Sequence, residues 1–297
     1  MEVKMSRTKT LSKPDWLKIK INLNENYKYV NSMLEKHKLN TVCSEARCPN
    51  IYECWNNRTA TIMILGDTCT RACGFCSVKT GRGMGVDKAE PLNTAVAVKK
   101  LGLKHVVITS VDRDDLKDDY GAEIWHATVI NTRSLNPDCS IEILTPDFKG
   151  YQPSLEKVFS SRPNIFSHNI ECVERISRSV RPQSVWSRSK DVLKKSINYG
   201  LNTKTGMMVG LGETDSEVYE TMDEMAELGI SIFNIGQYLQ PTKKHLKVDR
   251  YVTPKQFSQY KEYGLDIGFK VVESGPLVRS SYMADKQAKL FNAQNVA

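Results

Sequence analysis

The sequence predicts an α/β protein, an open, partial (β/α)6 TIM-like barrel with N- and C-terminal extensions. Three observations carry this prediction. Short runs rich in Val, Ile and Thr alternate with longer amphipathic stretches; six such runs occur; and the segments between them are long enough to cross over as helices between parallel strands. Six units fall short of the eight of a closed barrel, which favours an open barrel over a doubly wound sheet. With 297 residues, 40% hydrophobic and 26% charged, the chain can bury one large core and is not disordered in bulk.

Residues 1–58 read as a polar N-terminal extension, with Pro14 and Trp16 near its start and a helix over 24–39. The strands follow as TATIMIL (59–65), KHVVITSV (104–111), SIEILT (140–145), IFSHNI (165–170), KTGMMVGL (204–211) and IFNIGQY (232–238). Helices are expected around 93–101, 120–134, 153–160, 171–178 with 188–199, and 214–228, and another in YVTPKQFSQYKEYGLDIG. The barrel therefore spans 59–268. Residues 269–297 form a C-terminal segment with a strand, a Gly-Pro turn and a tail expected to return to the active site. No internal repeat, low-complexity tract or long linker splits the chain.

No apolar stretch reaches the length of a membrane span, and MEVKMSRTKTLSKPDWLKIK lacks the apolar core of a secretory signal, so a cytoplasmic protein without a membrane partner is expected. The formal charge is +8, but the 42 Lys and Arg are interleaved with 34 acids. That argues against a nucleic-acid surface and fits an acidic protein partner as well as a merely soluble surface.

Six of the eight cysteines lie between Cys43 and Cys76. In a long chain without an export signal thiols stay reduced, so metal ligation explains the clustering better than disulfides do. CTRACGFC places Cys69, Cys73 and Cys76 directly after the first strand, at the barrel rim where catalytic groups sit, and Gly74 is expected to let the backbone approach a bound group. Three thiolates leave one iron of a 4Fe-4S cluster open to a small-molecule ligand. Zinc is the competing reading, but no His stands near to complete a tetrahedron. CSEARCPNIYEC supplies a second triad, Cys43, Cys48 and Cys54, read as a second cluster, with a structural metal knot as the alternative.

The C-x3-C-x2-C spacing with Phe75 before the last cysteine resembles the signature of the radical S-adenosylmethionine superfamily. There the open iron is chelated by the amino and carboxylate groups of S-adenosylmethionine, and one electron from the cluster releases a 5'-deoxyadenosyl radical. Paired with the upstream C-x4-C-x5-C, the motif resembles the lipoyl synthase family, and the similarity runs on through TSVDRDDL, IEILTPDF, HNIECVERI, TGMMVGLGET, IGQYLQPT and GPLVRSSY. The resemblance implies a sulfurtransferase with two 4Fe-4S clusters, the auxiliary one taking Ser281, rather than Ser280, as its fourth ligand. A hard alkoxide suits iron less well than thiolate does, so that corner is expected to be labile. Two S-adenosylmethionine molecules would be cleaved in succession, hydrogen would leave C6 and C8 of an octanoyl-lysine on a lipoyl-carrier domain, and the auxiliary cluster would be consumed as the sulfur source. The implied partners are this acidic carrier domain, a reducing electron donor and an iron-sulfur carrier that rebuilds the cluster.

In such a barrel, polar residues at strand ends would hold S-adenosylmethionine, here Ser110, Glu142, Asn169 and Arg181, with Phe75 beside the cluster. Plainer readings compete: Asp112 or Asn169 capping a helix, and Glu142 facing solvent or a buried partner. GLGET lacks the Rossmann spacing and the P-loop lysine, so it reads as a barrel loop in which Glu213 and Thr214 start a helix. His105, His126, His168 and His245 form no metal pattern, and Cys139 and Cys172 read as small buried apolar residues. Arg279 reads equally as a partner of an acidic group or the substrate linkage and as a surface arginine. Tyr120 and Met283 depart from the family pattern. The rival readings are a biotin-synthase-like enzyme, which should lack the second triad and RSSY, a methylthiotransferase, whose auxiliary cluster sits on a separate domain, and a non-enzymatic metal-binding module, which would take zinc.

Overall fold

In a computed structural model the described residues are 12–19, 21–37, 39–57 and 59–294. The start of the segment expected to lack a secretory signal, residues 1–11, lies outside them. The six apolar runs become β1 (Thr61–Ile64), β2 (His105–Ser110), β3 (Ser140–Leu144), β4 (Ile165–Ser167), β5 (Thr203–Val209) and β6 (Ile232–Gln237), parallel and hydrogen-bonded in chain order. Helices cover the sheet, so these strands are buried on both faces and read as continuous rather than alternating apolar runs.

The sheet is wider than six units. A seventh strand, β7 (Val271–Gly275), pairs parallel with β6 from Val271↔Ile232 to Gly275↔Gly236, so the C-terminal segment begins inside the sheet. At the other edge Asn40 and Thr41 pair antiparallel with Met63 and Ile62 of β1, which fastens the N-terminal extension to the barrel. Strands β1 and β7 do not pair, so the barrel stays open.

Helices α1 (Glu25–Lys36), α2 (Val42–Glu45) and α3 (Ile51–Asn56) build the N-terminal extension. The crossovers are α4 (Glu90–Leu101), α5 (Ala122–Leu135), α6 (Gln152–Ser160), α7 (Glu174–Val180) with α8 (Trp186–Asn198), α9 (Asp215–Glu227) and α10 (Pro254–Asp266). Helix α4 starts earlier than its periodicity suggests, because Pro91 sits in the first turn, where a missing N–H leaves no bond unmade. Thr214 caps α9 as expected, in a reciprocal capping box with Glu217. A final helix, α11 (Ala284–Gln294), packs on β2 and β7.

Two large apolar clusters fill the interior, and a smaller one of Ile165, Ile232, Val271, Ala288 and Phe291 lies beneath the final helix. One contains Ile62, Ile108, Trp125, Ile143 and Phe166, the other Met207, Phe233, Ile235, Phe257 and Val272. Each large side chain buried in this way contributes about 1.5–3 kcal/mol. Cys139 and Cys172 are buried as small apolar residues. No helix among the described residues is long and apolar enough to cross a membrane.

Candidate active site

At the C-terminal ends of the strands a cavity of about 500 Å³ opens, lined by Cys69, Cys73 and Cys76 together with Cys43, Cys48, Ser280 and Ser281. The first triad follows β1 on a loop held from several sides. Thr70 N donates to Asp112 O at 3.0 Å, Gly74 N to Val180 O at 2.8 Å, Gly81 N to Cys69 O at 2.9 Å, and His245 Nε2 lies 2.9 Å from Cys76 O. His245, which sequence spacing left without a role, thus braces the cysteine loop. Gly74 serves differently from expectation: a Cβ there would meet Leu246 at 2.8 Å, so the missing side chain makes room for the loop after β6.

The second triad comes from the extension. Thr41 accepts from Ser44 N and starts α2, which carries Cys43; Cys48 lies in the following turn and Cys54 in α3. Asn50 Nδ2 donates to Leu277 O at 2.7 Å, tying this segment to the C-terminal one. A smaller cavity of about 40 Å³ is lined by Cys43, Cys48, Cys54 and Ser281. The two serines diverge: Ser281 Oγ accepts from Thr61 Oγ1 at 2.8 Å on the side of this triad, whereas Ser280 Oγ accepts from Asn169 Nδ2 at 2.6 Å on the other. Ser280 O also accepts from Asn234 Nδ2 at 3.0 Å.

Close backbone approach makes this placement possible. A Cβ on Gly236 of β6 would stand 2.0 Å from Val278 O, so only glycine lets the segment bearing the serines lie against the sheet. Beside it Arg279 is half-buried, lines both cavities and donates to Val278 O at 2.7 Å; desolvation lowers its pKa while nearby Cys48 opposes this.

All eight cysteines are free. Burial pushes the thiols of Cys43 and Cys69 up to about 11 and those of Cys54 and Cys73 up to about 12, and it raises Cys48 and Cys76 as well. Thiols so placed keep their protons until a metal displaces them, so metal loading of either triad would release protons. Among the described residues no three His, Cys, Asp or Glu side chains close around a single ion. Each triad of thiols lines a shared cavity, a donor set of the kind that holds an iron-sulfur cluster.

Ser110, Asn169, Arg181 and Phe75 all line the large cavity. Asn169 Oδ1, Arg181 Nε and Thr145 Oγ1 are buried there with no partner, so the wall holds acceptor and donor capacity for a polar ligand such as S-adenosylmethionine. Glu142 does not join them. It is fully buried inside the barrel, its Oε1 accepting from Lys204 Nζ at 2.9 Å, with His105 Nε2 3.7 Å from its Oε2. Burial works against its charge, but Lys204 and His105 hold its pKa below the ordinary carboxylate value. A strand interior points alternate residues inward, and this acid met the buried Lys204 ammonium there.

Two groups near the cavity escaped sequence reasoning. Arg71, between the cysteines, is buried against Asp112 at 3.2 Å, Asp114 at 2.8 Å and Asp147 at 2.6 Å; burial opposes its charge, and the three carboxylates more than offset this. Glu171 lines the cavity with φ 68, a left-handed conformation rare for a side-chain-bearing residue, and desolvation raises its pKa. The acids of DRDD and TPDF were a visible signal for the Arg71 hub; Glu171 offered none. Glu213 instead closes its own loop, accepting from Gly210 N at 2.7 Å and Leu211 N at 2.9 Å.

Residues 63–225 match the model of the radical SAM superfamily, and residues 1–48 match that of the N-terminal domain of lipoyl synthase. The chain is 49% identical over 276 residues to the lipoyl synthase of Flavobacterium johnsoniae, covering 93% of this chain and 96% of that protein. It is 51% identical over 279 residues to the lipoyl synthase of Rubrobacter xylanophilus, covering 93% and 87%. The chain belongs to the lipoyl synthase family. Like the family, it is a radical sulfur-insertion enzyme whose cofactors are S-adenosylmethionine and 4Fe-4S clusters. Among solved structures it resembles Streptococcus suis SuiB bound to S-adenosylmethionine, with TM-score 0.57 and 13% identity, covering 77% of this chain and 54% of that one. It also resembles methylornithine synthase, with TM-score 0.51 and 12% identity, covering 86% and 83%. At such identities these two likenesses establish the open barrel alone; the lipoyl synthase assignment rests on the two relatives.

Proposed function

We propose that Cys69, Cys73 and Cys76 hold the 4Fe-4S cluster that binds S-adenosylmethionine, and that Cys43, Cys48, Cys54 and Ser281 hold the auxiliary cluster. The substrate is the octanoyl-lysine of a lipoyl-carrier domain, whose chain enters the large cavity to receive sulfur at C6 and C8. When bound, these groups supply a 5'-deoxyadenosyl radical and sulfide. The chain's own residues orient and enclose. Ser110, Asn169, Arg181 and Phe75 receive S-adenosylmethionine, and the apolar share of the wall receives the octanoyl chain and keeps water from it.

The observation that carries the reading is the meeting of Ser281 with three cysteines more than 200 residues away around one small cavity that borders the larger one. Residues 1–58, 59–268 and 269–297 then serve as the auxiliary-cluster extension, the barrel, and the segment that delivers Ser281. An external electron donor and an iron-sulfur carrier complete the partners, since each radical consumes an electron and each turnover consumes sulfide. The eight free thiols suit a reducing compartment, the cytoplasm.

The test is anaerobic mass spectrometry of an octanoylated carrier domain incubated with reconstituted enzyme, S-adenosylmethionine and reductant. Gain of two sulfurs with matching 5'-deoxyadenosine is expected. 5'-Deoxyadenosine without sulfur gain would overturn the substrate assignment.

A further inference from the structure

Beyond β6 the chain passes Leu239, Gln240 and Pro241 on the cavity wall and runs into a stretch carrying Lys243, Lys244 and Lys247, all three exposed. No ion pair joins these three ammonium groups to a carboxylate among the described residues, whereas Arg250 farther along is taken up by Asp215 and Glu213. Asp249 is the only acid in the stretch.

The loop is firmly held. Leu246 N donates to Gly74 O at 2.9 Å, Tyr238 OH to Leu246 O at 2.7 Å and Gln240 Nε2 to His245 O at 2.9 Å, while His245 Nδ1 lies 2.8 Å from Thr242 Oγ1. The backbone that carries the three lysines is thus held beside the Cys69–Cys76 loop, directly after the wall residues Leu239, Gln240 and Pro241. Exposed Lys13 and Arg47 line the same cavity from the N-terminal extension. Asp15, the acid nearest Lys13 in sequence, is already paired with Lys18 at 2.6 Å.

An enzyme whose substrate is a side chain on another folded domain must seat that domain's surface on the rim while the acyl chain reaches inside. A rim of unpaired cations on a braced loop attracts a surface of opposite sign and speeds encounter. We propose that Lys243, Lys244 and Lys247, with Lys13 and Arg47 across the opening, form the docking surface for the acidic face of the domain that bears the acylated lysine. The proposal rests on the substrate reading above.

The deciding experiment measures binding apart from turnover. Reconstituted full-length enzyme, wild type and the variants Lys243→Glu/Lys244→Glu/Lys247→Glu and Lys243→Gln/Lys244→Gln/Lys247→Gln, is titrated calorimetrically with an octanoylated carrier domain and with a short octanoyl-lysine peptide, at two salt concentrations. Domain affinity is expected to fall about tenfold or more in the Glu variant and less in the Gln variant, with wild-type affinity weakening as salt rises. Affinity for the peptide stays unchanged. Equal loss for domain and peptide would make the loop merely structural, and unchanged domain affinity in both variants would remove it from docking; either result overturns the proposal. Product analysis of the same samples keeps the two ideas separate. Domain binding that is salt-sensitive and loop-dependent but brings no sulfur gain would sustain the docking surface and refute the substrate reading.

Discussion

Gly236→Ala is the sharpest probe of how the C-terminal segment is seated beside the cysteine triads. Gly236 has an ordinary backbone conformation, so alanine tests space alone. Its Cβ would stand 2.0 Å from Val278 O, 3.0 Å from Val278 C and 3.3 Å from Arg279 Nη1. Because the obstacle is backbone, relief requires the segment carrying Ser280 and Ser281 to retreat from β6 by roughly 1 Å, at a cost of roughly 1–3 kcal/mol of stability. Ser281 then leaves its bond to Thr61, and a displacement of that size costs roughly a hundredfold in a reaction that depends on placement. In reconstituted enzyme, 5'-deoxyadenosine formation should stay within a few-fold of wild type while sulfur insertion collapses and iron content falls toward one cluster. Wild-type sulfur insertion with both clusters present would refute the idea that this close approach positions Ser281.

Ser281→Ala should preserve cleavage of S-adenosylmethionine and impair sulfur insertion, measured as 5'-deoxyadenosine against lipoyl product; a normal yield of lipoyl product would remove Ser281 from the mechanism. Cys73→Ala should abolish 5'-deoxyadenosine while the other cluster still assembles, as counted by iron content and Mössbauer spectroscopy. Glu142→Ala strands Lys204 and His105 inside the barrel, and a loss of roughly 3–5 kcal/mol is expected in thermal or denaturant unfolding, against little change for a surface acid. His168 is buried between Thr145 O at 2.9 Å and Ser189 Oγ at 3.1 Å, and burial lowers its pKa to about 4 from 6.5. The unfolded chain therefore binds a proton at higher pH than the folded one. Stability tied to neutral His168 is complete above pH 6.5 and drains as pH falls toward 4. His168→Gln should flatten the unfolding curve over that window, and an unchanged slope would contradict the assignment.

Much of the protein could be read from local pattern. The six strands, the crossover helices and the Thr214 cap follow from periodicity and capping chemistry, which act over a few residues and leave their mark in sequence. The two cysteine triads were legible because their members are near neighbours in the chain. Glu142 misled because a polar residue on an inward strand position looks the same whether it meets a ligand or a buried lysine 62 residues away. The Arg71 hub, the strained Glu171 and the brace from His245 to Cys76 likewise depend on which distant segments meet.

By itself the sequence determined the α/β class, the positions of the two cysteine triads and, through resemblance, the family. Only the tertiary structure decided that β7 extends the sheet, that Gly236 admits the C-terminal segment, and that Ser281 faces the second triad while Ser280 turns to Asn169. The physical reason is range. Hydrogen bonding within helices and turns acts between near neighbours, whereas the contact of Ser281 with Thr61 spans 220 positions and exists only once sheet registry and close packing have brought the chain ends together.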